Sequence, residues 1–422
     1  MQELLEKLFP ICRSITGGGV RQTLNILKEY IPLKVHEVPT GTEVFDWMIP
    51  KEWNIRDAYI KNSKGKKIID FKESNLHVLG YSTPINKKMS LAELKDHIFT
   101  LPEQPELIPY LTSYYKEDWG FCMSHEQFEK LKEDTYEVVI DSSLKDGYLS
   151  YGEFYIKGKS EDEVLFSSYL CHPSMCNDSI SGVILLAFLA KKLKDLDLNY
   201  SYRFLFVPET IGAITWLSRN EKNVSKIKHG LVATCVGDSG DFTYKKSRMG
   251  NAEIDKIVEN ILKHSENGYK VIDFEPVGSD ERQYCSPGFN LAVGSLMRTM
   301  YGEFSEYHTS ADNLDFVKGE YLEDSLEQYL AIVKVLENNK TYLNLSSKCE
   351  PQLGKRGIYR SLAPKGRKKE GYAEEEAVLW VLNMSDGTRS LLDISTRSGI
   401  DFKRLQKATE VLIKNGLLKL VS

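Results

Sequence analysis

The sequence predicts an α/β protein: a mostly parallel mixed sheet with helices on both faces, a β-rich inserted domain, and a C-terminal winged helix-turn-helix. Three observations predict it. From about residue 130 to 340, short apolar runs alternate with segments of helical periodicity, the mark of βαβ units. Residues 42–125 carry the two-residue alternation of strands facing water on one side. The last fifty residues hold three helical segments and a final short apolar strand.

Taken in order, "MQELLEKLFPICRSI" reads as an amphipathic helix rather than a secretion signal, and residues 1–40 are expected to join the α/β domain. "FDWMIPKEWNIRDAYIKNSKGKKIIDF" alternates as strands, with a hairpin signal at Asn62-Ser63-Lys64-Gly65. The inserted domain is drawn at 41–125. It ends in the aromatic segment "IPYLTSYYKEDWGF" (108–121), for which core packing is favoured over a substrate wall. "EVLFSSYL" (163–170), "SYRFLFVP" (201–208), "HGLVATCVGD" (229–238) and "NLAVGSLM" (290–297) read as buried strands. Between them, "SGVILLAFLAKKLKDL" (181–196), "TIGAITWLSRN" and "NAEIDKIVENILKHSE" (251–266) read as helices, and "GEYLEDSLEQYLAIVKVLEN" (319–338) closes a domain drawn at 126–345. A basic linker is expected over 346–372, because 354–372 holds seven Lys/Arg against one Glu. The winged helix-turn-helix is drawn at 373–422, with Gly416 at a helix C-terminus.

Bulk properties exclude several classes. The chain has 422 residues and a formal net charge of −5, which gives no overall attraction to nucleic acid or to anionic membrane. No run approaches the roughly 20 apolar residues of a membrane span. The seven cysteines are odd in number and scattered without a CxxC pair, which fits a reducing, cytoplasmic setting.

The stretch "YLCHPSMCNDSISGV" (169–183) places His172 where a strand ends and Asp178 where a helix begins. Open α/β sheets bind ligands beyond the carboxyl ends of their strands. Glu209 and Asp238 fall at two further strand ends, and Asp280, Arg282 and His308 in loops near a fourth. Neutral imidazole and carboxylate are ligands of Zn²⁺, so the recurrence points to a metal site.

This constellation resembles the zinc exopeptidases of the bacterial leucyl aminopeptidase and glutamate carboxypeptidase type. "CHPSMCNDSISGV" matches that family's His…Asp-x-x-Ser/Ala-Gly step, "FVPETIG" its strand-to-helix step with the general base, and "EYHTSADNLDFV" its late His segment. More narrowly, nearly the whole chain resembles an uncharacterised bacterial group of aminopeptidase-like proteins with a β-rich insertion and a winged-helix tail. The resemblance implies a zinc exopeptidase-like fold, with His172, Asp178 and His308 as metal ligands and Glu209 as general base. The chain also departs from the pattern. Thr210 stands where a second metal's carboxylate is usual, Thr234 where the first metal's acidic ligand is, and Ser174 where a supporting Asp is. One zinc ion is therefore expected rather than two, with Asp238 or Asp280 as a replacement ligand in reserve.

In "VGSDERQY", read as a loop, Asp280, Arg282 and Tyr284 are candidates for substrate binding, against a surface ion-pair cluster. Cys171 and Cys176 are left out, because strand alternation points Cys171 away from His172. From 373 to 422, seven Lys/Arg meet seven Asp/Glu, so a protein-contact or oligomerisation role is favoured over nucleic-acid binding. The expected function is metal-dependent hydrolysis of a peptide or amide. The alternatives are a non-catalytic descendant that binds a peptide or sugar derivative, and a ligand-sensing regulator acting through the tail.

Overall fold

A computed structural model describes residues 1–358 and 369–421. Contacts divide the chain into two units, Met1–Ile254 with Tyr269–Glu327, and Asp255–Gly268 with Gln328–Ser422.

The first unit is built on an eight-stranded mixed sheet. Its spatial order is Lys34–Pro39, Tyr148–Ile156, Ser201–Val207, Glu163–Tyr169, Ile227–Ala233, Val293–Met297, Phe242–Lys245 and Tyr269–Ile272. The four middle strands are parallel, and they are the four that the apolar runs predicted. Strands outside them join antiparallel at each side, Tyr148–Ile156 on Ser201–Val207 and Phe242–Lys245 on Val293–Met297. Every residue of Glu163–Tyr169 and of Val293–Met297 is buried, as expected of strands covered on both faces. The helix Gly182–Leu193 is apolar almost all round, and nine of its twelve residues are buried.

The insertion is a four-stranded antiparallel sheet, ordered Lys67–Asp70, Glu52–Lys61, Thr135–Lys145 and Ile85–Ser90. It draws in Thr135–Lys145, so the β-rich part reaches beyond residue 125. The turn at Asn62–Gly65 closes a hairpin, with Gly65 in the left-handed region at φ +78°. Ala58, Ile60, Ile69, Val138 and Ile140 form a core of its own.

In the second unit, Lys369–Met384, Leu391–Ser398 and Phe402–Lys414 are helices. Ser390 and Asp393 cap the middle helix reciprocally, and Gly416 follows the last one at φ +66°. Between the first two of these helices, "DGTRS" is the strand Asp386–Ser390. It pairs with Thr341–Asn344, which also takes Leu418–Leu420 on its other side. A strand upstream of the expected linker thus completes the tail's sheet. Of that linker, residues 359–368 lie outside the described residues. No helix among the described residues is long and apolar enough to cross a membrane.

Candidate metal centre

His172 leaves the strand Glu163–Tyr169 in a short irregular turn, where Arg13 fixes its backbone by donating from Nε to the His172 carbonyl at 2.9 Å. Asp178 opens the next helix. The carboxylate of Asp312 holds that opening by accepting from the backbone N–H of Asn177 at 2.6 Å and of Asp178 at 3.0 Å. The small residues of the motif are there for contact. Ser181 donates to the Asn177 carbonyl at 2.6 Å, and a Cβ on Gly182 would stand 2.1 Å from the Ala233 carbonyl oxygen. His308 comes from the far loop, stacked on Tyr307 with ring centroids 3.9 Å apart.

These segments bring the three predicted ligands together. His308 Nε2 lies 3.0 Å from Asp178 Oδ2, and His172 Nε2 lies 3.9 Å from the same oxygen. One donor atom from each falls within 4.8 Å of the others. Donors around one tetrahedral zinc at its usual bond lengths sit about 3.4 Å apart, and the observed separations bracket that value. Burial lowers the His172 pKa to about 4, which keeps the ring neutral, the form that binds metal. Burial works to raise Asp178, but the two histidines and the Tyr169 hydroxyl outweigh it and hold the carboxyl at about 2.

Glu209 Oε2 lies 3.8 Å from His172 Nε2, on the same rim. Its carboxyl is raised well above the ordinary range by burial and by the neighbouring Asp280 and Asp178 carboxylates. A divalent cation beside it opposes that shift. The following residue, Thr210, has φ +61°, a costly conformation for a β-branched side chain. Asp280 accepts from its N–H at 2.7 Å, and Arg282 donates to its hydroxyl at 3.0 Å. Ser174, Cys235 and His308 also have positive φ, so backbone strain gathers around the site.

Other candidates fall elsewhere. Asp238 accepts from Asn177, Gly240 and Thr299, which places its carboxylate in a buried brace and outside the donor cluster. Tyr284 is fully buried, its hydroxyl 2.8 Å from that of Ser167. "DERQY" is not a loop: Glu281–Tyr284 is a short helix, with Glu281 paired at 2.9 Å to a fully buried Lys245. Cys171, which strand alternation points away from His172, lies beside it. The strand ends at Tyr169, alternation stops there, and Cys171 Sγ lies 3.4 Å from His172 Nδ1 in a second donor group with Glu209.

Three features escaped sequence reasoning. Asp312 lies four residues after His308 and is the anchor of the Asp178 turn. Tyr169 donates to Asp178 Oδ1 and lies 2.8 Å from the Thr234 hydroxyl, so a Tyr–Thr pair stands at the position of an expected acidic ligand. The aromatic segment is neither plain core nor plain wall. Tyr110 N–H donates to the His308 carbonyl at 2.7 Å, and the Tyr110 ring lies 5.0 Å from both His172 and His308. An inserted domain thus lines the centre, a long-range contact that no local pattern encodes.

Residues 2–339 match the family described as a domain of unknown function (DUF4910), and residues 340–420 match the winged helix-turn-helix family. The chain belongs to the first of these families, and its C-terminal part matches the second. It is 60% identical over 418 residues to a Clostridium acetobutylicum protein, covering 99% of this chain and 95% of that one. That protein is named "Putative polysaccharide biosynthesis protein with aminopeptidase-like domain". A crystal structure described as a putative peptidase from Clostridium acetobutylicum superposes with a TM-score of 0.94 at 58% identity, covering 100% of this chain and 96% of that chain. A zinc aminopeptidase from Bacillus subtilis superposes with a TM-score of 0.57 at 11% identity, covering 79% and 93%. The last likeness is one of fold, and it makes the first unit aminopeptidase-like in architecture.

Proposed function

We propose that this chain is a metal-dependent hydrolase that cleaves an amide bond. One observation carries the reading: two imidazoles and one carboxylate converge within 4.8 Å at the rim of an aminopeptidase-like sheet, with Glu209 3.8 Å from one of them. The donor set suits zinc, and His172, Asp178 and His308 would hold it. A bound zinc lowers the pKa of water and polarises a carbonyl. Glu209 serves as general base, accepting a proton from water and returning it to the leaving amine. Asp280 and Arg282 position Glu209 through Thr210.

A single ion is favoured, because the Tyr169 hydroxyl already takes Asp178 Oδ1, the oxygen a bridging carboxylate would offer to a second metal. The name of the Clostridium acetobutylicum relative supports a substrate that carries a sugar as well as the amide. Metal analysis of the purified protein, with a screen of aminoacyl and N-acylated amides, tests the reading. Glu209→Gln should keep its metal and lose turnover by about 10²–10⁴-fold. Turnover equal to wild type in that variant refutes the base assignment.

A further inference from the structure

Beside the metal centre the surface carries more exposed aromatic area than its fold requires. The tight hairpin pairing Glu43–Val44 with Trp47–Met48 has Phe45 at its turn, with φ +55°. Turns of this kind normally use Asn or Gly, and a bulky residue in that conformation is strained. Phe45 is nevertheless 51% exposed, Trp47 36% and Tyr115 63%. The Trp47 and Tyr115 rings meet edge-on at 5.3 Å, and Phe45 meets Phe289 edge-on at 5.8 Å. Edge-on pairing covers one face of one ring in each pair and leaves the remaining faces clear of that contact.

The aromatic chain is continuous with the site. From Trp47 it runs to Tyr115, then to Tyr114 at 6.2 Å, whose hydroxyl lies 2.9 Å from that of Tyr110, the ring against both histidines. The Tyr115 phenol also interacts electrostatically with Glu209, Asp280 and Arg282. Alongside lies a groove of about 520 Å³, lined by Leu79, Phe99, Leu111, Thr112 and Tyr115, within the size range of ligand clefts.

We propose that Trp47 and Tyr115, with Phe45 and Phe289 beside them, form a sugar-binding subsite that holds the pyranose end of the substrate while its amide reaches the metal centre. An apolar amino-acid side chain is best served by an enclosed pocket. These rings are open and flat. A pyranose suits such a platform, because its C–H face packs on the ring while its hydroxyls stay in water or meet Tyr115 and the half-buried Arg282. This inference rests on the amide-hydrolase reading for the placement of the amide, and on the rim alone for sugar binding.

The test separates the two. Saturation-transfer NMR with the full-length protein uses a β-linked trimer of N-acetylhexosamine as probe, and needs no turnover. Sugar C–H protons should receive saturation, and Trp47→Ala and Tyr115→Ala should each weaken binding about tenfold, with melting temperatures unchanged at these exposed positions. If an amide substrate is found, Trp47→Ala should raise KM for the sugar-bearing form more than for the sugar-free form. No transfer to the sugar, equal binding in the variants, or equal dependence on both rings by an N-acylated phenylalanyl peptide overturns the proposal. Sugar binding without turnover upholds it and counts against the hydrolase reading.

Discussion

Replacing Tyr169 with Phe tests why the centre should hold one ion. The ring is almost fully buried, and its hydroxyl donates to Asp178 Oδ1 and contacts Thr234. A hydrogen bond to a charged group is worth about 1.5–3 kcal/mol, and its removal leaves Asp178 Oδ1 without that donor. In metal-free protein we expect a loss of about 2–3 kcal/mol, a fall of about 5 °C in the melting temperature of a unit this size. Zinc should restore most of it, because the released oxygen becomes available to a cation. Adding Thr234→Asp and Thr210→Glu returns both missing carboxylates, and the triple variant should carry two ions per chain where the wild type carries one. Calorimetry of the metal-free forms and elemental analysis of zinc-saturated, desalted protein measure both quantities. Two ions in the wild type, or one in the triple variant, would refute the reasoning.

Three further outcomes follow from the geometry. The His172 pKa is about 4 in the fold against 6.5 when free, so the neutral ring favours the folded state. Metal-free protein should be fully stable from this source above pH 6.5 and lose of order 3 kcal/mol as pH falls to 4, with no further loss below, as acid titration by circular dichroism would read. Lys245→Met strands the Glu281 carboxylate at zero exposure and should cost about 3–5 kcal/mol, whereas Lys245→Met with Glu281→Leu should recover most of it in denaturant titrations. Asp312→Ala removes the acceptor for the Asn177 and Asp178 amides and should weaken zinc binding about 10–100-fold, measured by competition with a chelator.

The parallel core was legible because strands buried on both faces announce themselves as unbroken apolar runs, as "EVLFSSYL" and "NLAVGSLM" do. Phe242–Lys245 and Tyr269–Ile272 were not, because each is only four residues long and the outer one is half polar. His172, Asp178 and His308 could be picked out because ligands recur at strand ends. Their support could not: Asp312 acts through backbone amides more than 130 residues away, and Tyr169 sits inside a run that reads only as strand. Cys171 shows the limit of periodicity, which holds only while the strand continues. Tyr110 shows the limit of locality, since its partner carbonyl belongs to His308.

The strand Thr341–Asn344 lies in the middle of the C-terminal sheet, between Asp386–Ser390 and Leu418–Leu420. A fragment begun at 346 or 373 to isolate the tail would therefore leave two short ribbons facing a gap, each presenting unpaired amides and carbonyls to whatever strand it met. The tail's sheet stays whole only when the cut falls ahead of residue 341. Grafting or deleting it at the basic stretch would yield a sticky remnant in place of a clean module.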